Sequence, residues 1–569
     1  MKRMWLTTTL VMCGLVQAAI GWNIAHAEDD VAAGEKLLPK STLLFVSVPD
    51  VPETRSQFQK SLFGSMLNDK EFKPFFDQVQ DKIKEASDKL QDELGVTVSE
   101  LLALPQGEIT FAVLEKPTRK ISIVLMFDYG DNKETVEKLL KKMHDALDGD
   151  VAEHSAEDVD DVKVHTYAFK DSDESSPFKQ AISYFNDEQY LVFSNEVEAL
   201  KEVLQRWDGK SDDTLADNDA FKYIQAQCKD ESGEPTLVWY FNPIGLINAG
   251  LNVAQAYTPQ VGMAGAFLPM FGVDKLKGLG GAGYGASGDF ETVWKSFSYV
   301  EQPASGLVNV FLFPATDLAP PKWVPADASV YMGANWNFAK AYTAIEGMVD
   351  MFQGRGALAR LLDQQANNDP GIHFKKDIFD LLDGKFHIVQ SVGTKDDPAP
   401  TPQFLIAVEV KDPAKAKKTL SKIAKSEKAD FETREFNGET IYEIPTGETT
   451  LSMAIVSGQF VFTNDTPTLE GMLRSERQPS LADSPAYRKI SKHFPAKTSM
   501  ISFQRSDAQV KAAYDLLKTM DQGPLEGFDM SKLPPFESLE KYLRPSGSYM
   551  VPDKKGALTV SFELREGDR

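Results

Sequence analysis

"VFSN" at 192–195 runs directly into "EVEALKEVL" at 196–204, and "VFTN" at 461–464 runs into "DTPTLEGML" at 465–473. In each phrase apolar residues first alternate, as on a strand, and then recur three or four apart, as on one face of a helix. The two phrases stand 269 residues apart. One chain writing the same strand-to-helix phrase twice predicts two copies of one module.

The resemblance extends on both sides of that phrase. "LLPKSTLLFVSVPD" (37–50) answers to "WVPADASVYMGANW" (323–336), and "LLALPQGEITFAVL" (101–114) to "IFDLLDGKFHIVQS" (378–391). "VLMFDYGDNKETVEKLLKKM" (124–143) answers to "LIAVEVKDPAKAKKTLSKI" (405–423), and "LADNDAFKYI" (215–224) to "LADSPAYRKI" (481–490). All pairs keep one order. The copies are too long for a solenoid repeat and read as a tandem duplication of a whole module. "PATDLAPPKWVP" (314–325), whose prolines stop helix and strand, reads as the junction. The expected organisation is a leader over 1–27, a first module over 28–318, a proline-rich linker over 319–322 and a second module over 323–569.

Within a copy, Leu44, Val46 and Val48 alternate along a first strand, and Phe75, Val79, Ile83, Ala86, Leu90 and Leu94 form one helical stripe. Asp412 before Pro413 reads as the start of a helix. "ISYFNDEQYLVFS" (182–194) reads as a hairpin with Asn186-Asp187 at its tip, and its counterpart turns at Ser457-Gly458. The phrase "VFSN" is then the return strand, with Asn195 or a neighbour starting the helix. Hairpins with inserted helices predict an α+β fold: two tandem copies of a mostly antiparallel sheet module with packed helices.

Lys2 and Arg3, the apolar stretch 4–20 and Ala25-His26-Ala27 read as a secretory signal cleaved near Ala27, which places the protein in the periplasm or outside the cell. Losing 1–27 takes away two positive charges and moves the net charge from −23 to −25. An acidic chain of this kind excludes nucleic acid as a partner, since phosphate needs Lys and Arg to neutralise it. Only Cys228 then remains, which excludes an intramolecular disulfide and C-x-x-C sites. No transmembrane span is expected in the mature chain.

The signal segment, "PKSTLLFVSVPDV", "LLALPQGEITFAV" and "LADNDAFKYI" together resemble a family of secreted bacterial proteins of unknown function, of the planctomycete type. The resemblance implies an exported location and supplies no catalytic residues.

The residues offer little organised chemistry. His144, His154, His165, His373, His387 and His493 show no metal-ligand spacing, and most of them read as surface or sheet-edge residues. "GLGGAG" (278–283) matches the dinucleotide pattern in letters only, because the residues from Tyr284 onward read as strand rather than helix. No G-x-S-x-G elbow is present. Neither a catalytic residue nor a cofactor is assigned, and the chain reads as a non-enzyme. The acidic stretch 145–161 reads as a solvated loop, with Asp148, Asp150 and Glu153 as calcium candidates outside the EF-hand register.

Residues 235–273 hold no charged side chain, whereas the matching part of the second copy is charged throughout. Pro243, Pro259 and Pro269 break any membrane span. Leu246, Leu251, Val253, Met263, Phe267, Met270 and Phe271 are the candidate surface for an apolar ligand or an envelope partner. The expected role is binding or scaffolding in the cell envelope. The alternatives are a carrier of apolar, lipid-like molecules that uses 241–273, and a hydrolase whose site is assembled from distant residues. Two copies packed about a pseudo-twofold axis would behave as a fused dimer.

Overall fold

The computed structural model describes residues 33–115, 121–170, 181–209, 211–255, 258, 265, 267–391, 403–426, 430–447, 449–474, 479–505, 507–519 and 528–565. The expected leader 1–27 and Met263 lie outside these residues. The fold is α+β and divides into two compact units. The first comprises Met1–Phe267, Leu276–Tyr299 and Lys518–Tyr542, and the second Leu268–Lys275, Val300–Leu517 and Leu543–Arg569. Among the described residues no helix is long and apolar enough to cross a membrane.

The strands of the first unit are β1 (Thr42–Val48), β2 (Ile109–Glu115), β3 (Ile121–Asp128), β4 (Ala152–Val159), β5 (Val162–Phe169), β6 (Ala181–Asp187), β7 (Tyr190–Ser194), β8 (Leu237–Phe241), β9 (Leu276–Tyr284) and β10 (Phe290–Val300). They lie in the order β10-β9-β8-β1-β2-β3-β7-β6-β5-β4. Every neighbour from β9 to β4 runs antiparallel.

The second unit holds β11 (Val330–Asn335), β12 (Leu382–Ser391), β13 (Gln403–Val410), β14 (Glu432–Phe436), β15 (Glu439–Thr446), β16 (Thr449–Val456), β17 (Gln459–Thr463), β18 (Met500–Gln504), β19 (Ser546–Asp553) and β20 (Gly556–Leu564). Their antiparallel order is β20-β19-β18-β11-β12-β13-β17-β16-β15-β14. Each strand thus occupies the place of the strand numbered ten lower in the first unit.

Helices enter at matching points. Lys133–Leu147 comes after β3 and Pro413–Ala424 after β13; Val197–Leu204 comes after β7 and Thr466–Leu473 after β17. Asp412 caps its helix by accepting the Lys415 N–H at 2.9 Å, with Pro413 in the first turn. Apolar faces of these helices close the cores. In the first unit Val136 and Leu147 pack with Leu125, Phe127, Tyr167 and Leu191, and in the second Ala416 and Leu420 pack with Val410 and Ile455. The stretch 314–325 is seated on the second sheet: Thr316 bridges to Thr498 and Pro325 to Ser480.

Two local readings are corrected. The β6–β7 hairpin turns at Glu188-Gln189, with Asp187 paired to Tyr190 and Glu188 at φ 54°; Asn186 and Asp187 remain in the ladder. The second hairpin does turn at Ser457-Gly458, both at positive φ, where glycine costs least. Of the residues expected to start the helix after β7, the neighbour Glu196 is the one that precedes its first turn, while the Asn195 amide bonds sideways to β3. Residues 152–159 of the supposed acidic loop form β4, joined to β5 by Asp160-Asp161 at φ 47° and 67°. Aspartate tolerates this left-handed turn, and the ladder supplies the backbone partners that a loop would take from water.

The stripe helix, Lys73–Leu94, has no fully buried residue among those described, and Ile83 is exposed. Its start is held by the late segment of the chain. The Asp529 N–H donates to Gln78 Oε1 at 2.9 Å, Gln78 Nε2 donates to the Asp529 carbonyl at 3.2 Å, and the Tyr542 hydroxyl donates to Asp69 at 2.6 Å.

Candidate functional site

The charge-free stretch is divided between the units. Pro243–Gln255 is a helix of the first unit, opened by Asn242, whose Oδ1 accepts the Gly245 N–H at 2.9 Å. It lies near β1 and β9. A Cβ on Gly245 would come within 2.6 Å of Leu43 Cδ2, so glycine sets the closeness of that packing. Ala249 is buried, Leu246, Leu251 and Val253 are half-buried, and Ile247 and Phe267 are exposed.

Met270 and Phe271 belong to the second unit. The Phe271 ring lies 5.4 Å from that of Phe352, at the end of the helix Phe338–Gln353. Phe352 is 54% exposed, Met351 46% and Met270 43%. Isolated exposed apolar residues are ordinary; here the paired rings of Phe271 and Phe352 are each flanked in sequence by an exposed methionine, Met270 and Met351. The sequence alone points to Met270 and Phe271. It gives no means of finding Phe352, which approaches Phe271 only through the tertiary fold.

The calcium candidates do not converge. Asp148 and Asp150 are exposed before β4, and Asp148 Oδ2 stands 3.7 Å from His144 Nε2. Glu153 is exposed on β4, with its side chain on the face opposite His154. Among the described residues no three His, Cys, Asp or Glu side chains are placed to hold a metal ion.

What gathers beside Asp148 is a group of histidines and tyrosines. His144 comes from the helix Lys133–Leu147, His154 from β4, His165 and Tyr167 from β5, and Tyr184 from β6. His144 Nδ1 is 2.8 Å from the Tyr167 hydroxyl. His154 Nε2 is 3.1 Å from His165 Nδ1, with the ring planes 9° apart and the centroids 5.3 Å apart. That centroid separation matches the nitrogen gap plus the two ring radii, so the nitrogens point at each other: one donates and the other accepts. Tyr167 lies over His154 at 4.6 Å, and Tyr184 over His165 at 5.0 Å. Burial, and then the neighbouring His154, hold His165 below the ordinary histidine range, while burial pushes the Tyr184 hydroxyl up to about 12. The arrangement places one hydrogen between the two imidazole nitrogens.

His387 is the exception among the histidines, only 2% exposed within the second sheet. Its Nδ1 is 3.0 Å from the Tyr331 hydroxyl, which also donates to the Ala319 carbonyl at 3.2 Å; the nitrogen therefore keeps its own hydrogen toward Tyr331 when that hydroxyl is engaged with Ala319. Nε2 has no hydrogen-bond partner among the described residues. Burial lowers the His387 pKa to about 4. Cys228 is buried, and burial pushes its thiol up to about 12, far from the reactive range.

No curated protein and no solved structure matches the chain. Residues 322–526, the stretch that carries β11 to β18, match the model of a family described as Protein of unknown function (DUF3352).

Proposed function

We propose that this is an exported cell-envelope protein, made of two copies of one ten-stranded module, that works by binding or scaffolding. The two-copy reading is supported by the shared strand order of the units and by the paired sequence phrases. The copies keep their sheets and differ in the surfaces they present.

The observation that carries the binding role is the apolar surface of the second unit, formed by Met270, Phe271, Met351 and Phe352. Side chains of this type contribute most when a partner excludes water around them. The test places a photo-reactive phenylalanine analogue at Phe352 in the full chain and exposes it to envelope extract. A discrete crosslinked species that disappears with Met270→Asp supports the reading. Crosslinking no greater than at the exposed position Asp363 removes it. Native mass spectrometry of the same preparation distinguishes the carrier, which would hold lipid-like mass, from a protein-binding scaffold.

A further inference from the structure

β4 is the outermost strand of the first sheet. It pairs with β5 through eight successive residues, Ala152↔Phe169 to Val159↔Val162, without a bulge. Among the described residues no strand pairs with its other edge. A free edge of this length presents a row of backbone N–H and C=O groups to solvent, and proteins shield such edges with charged side chains, proline or a bulge. Beyond the single bridge of Asp148 to Ala152, β4 has neither proline nor bulge, and its charged side chains are carboxylates, which repel acidic strands but attract basic ones: its sequence is AEHSAEDV, and Glu153, Ser155, Ala156, Glu157 and Asp158 are all exposed.

Its charge is of one sign. Glu153, Glu157 and Asp158 lie on the strand, and Asp148, Asp150, Asp160 and Asp161 lie at its two ends. Partial compensation comes from Lys201, whose Nζ is 3.1 Å from Glu157 and 3.2 Å from Glu198. A second copy of the chain is a poor occupant, because edge-to-edge pairing would set carboxylates against carboxylates. Beside the strand, a depression of about 350 Å³ is lined by Ser155, Glu157, Val164, Thr166, Val197 and Glu198. It can receive one side chain of an added strand, with aliphatic contact at Val164 and Val197 and carboxylates at its rim.

We infer that β4 is a strand-addition site for an extended, lysine- or arginine-rich peptide segment of a partner protein. Backbone ladder bonds would supply the affinity, and the carboxylates would select basic side chains at alternate positions. This surface lies in the first unit and is independent of the apolar surface proposed above.

The test is fluorescence anisotropy with the full chain and three labelled eight-residue probes: alternating lysine and valine, alternating glutamate and valine, and the lysine peptide N-methylated at alternate residues. The lysine probe should bind, and should weaken by about ten-fold or more between low and high salt. The glutamate probe should not bind, and N-methylation, which removes ladder donors, should abolish binding. Glu153→Lys together with Glu157→Lys should reverse the preference. Glu153→Lys alone, which leaves the Lys201–Glu157 ion pair in place, should weaken the lysine probe if the double variant fails to fold. Equal binding of the N-methylated probe would reduce the contact to non-directional charge attraction and overturn strand addition. So would absence of binding by the lysine probe, or equal binding of the lysine and glutamate probes.

Discussion

The side-chain amide of Asn195 continues a β-ladder past the end of its own strand: Oδ1 accepts the Ile123 N–H at 2.7 Å, and Nδ2 donates to the Ile121 carbonyl at 3.2 Å. Asn464 does related work in the second unit. Its Oδ1 accepts the Phe404 N–H at 2.7 Å, while its own N–H donates to the Phe404 carbonyl at 3.3 Å. In both places the asparagine lets the chain turn toward a helix while the neighbouring strand keeps its partner.

Replacing either asparagine leaves strand-end backbone groups short of a partner. Asn195→Ala and Asn464→Ala should each lower stability by about 1–2 kcal/mol. Asn195→Asp can still accept from Ile123 but cannot donate to Ile121, so it should also destabilise. Urea unfolding monitored by circular dichroism measures all three, and unchanged midpoints would show that the clamp contributes nothing.

His387 makes the second unit sensitive to acid. Its folded pKa of about 4 lies below the ordinary 6.5, so between these values the unfolded chain binds a proton that the folded chain refuses. Its contribution is intact above pH 6.5 and is lost as pH falls toward 4, a change on the order of 3 kcal/mol. His387→Gln should flatten the stability curve over that interval, as measured by urea titrations at several pH values. An unchanged slope would assign the acid sensitivity to other groups.

Burial and the adjacent His154 ring together set the titration of His165. In NMR titrations His165 should lose its proton at a pH below that of an ordinary histidine. His154→Ala removes both a ring that buries it and a neighbouring positive charge, so the His165 midpoint should move upward. Because the folded value is the lower one, stability from this site also weakens as pH drops through the ordinary histidine range. A midpoint that does not move would separate the two rings electrostatically.

Glu108 ties the start of the described chain to the first sheet. Its carboxylate accepts from Ser47 Oγ at 2.5 Å, Thr110 Oγ1 at 2.7 Å and the Gly34 N–H at 2.9 Å. Glu108→Ala should cost about 2–3 kcal/mol, since three donors lose a charged acceptor together. Ser47→Ala removes one of the three and should cost less. Thermal melts of the two variants give the comparison, and equal losses would contradict a shared carboxylate hub.

Much of the fold was legible because its signals are short. Alternation in "TLLFVSV", the Asp412-Pro413 start and the Ser457-Gly458 turn each act over a few residues, and each produced the expected element. The β6–β7 turn was misplaced because asparagine and aspartate favour tight turns locally, yet pairing with β7 kept Asn186 and Asp187 extended. β4 was missed because an edge strand exposed along most of its length shows no apolar alternation.

The strand-to-helix grammar, its recurrence along the sequence, the acidic charge and the charge-free stretch 235–273 are all read from residue order alone. These arise from composition and from periods of two and about 3.6 residues, which need no distant partner. Folding is what brings Asn195 to Ile123, 72 residues away, Phe271 to Phe352, and His144, His154 and His165 into one cluster. The same holds for the free edge of β4. Such relations depend on strand order and register, which are set by the packing of the whole unit, and no local pattern carries them.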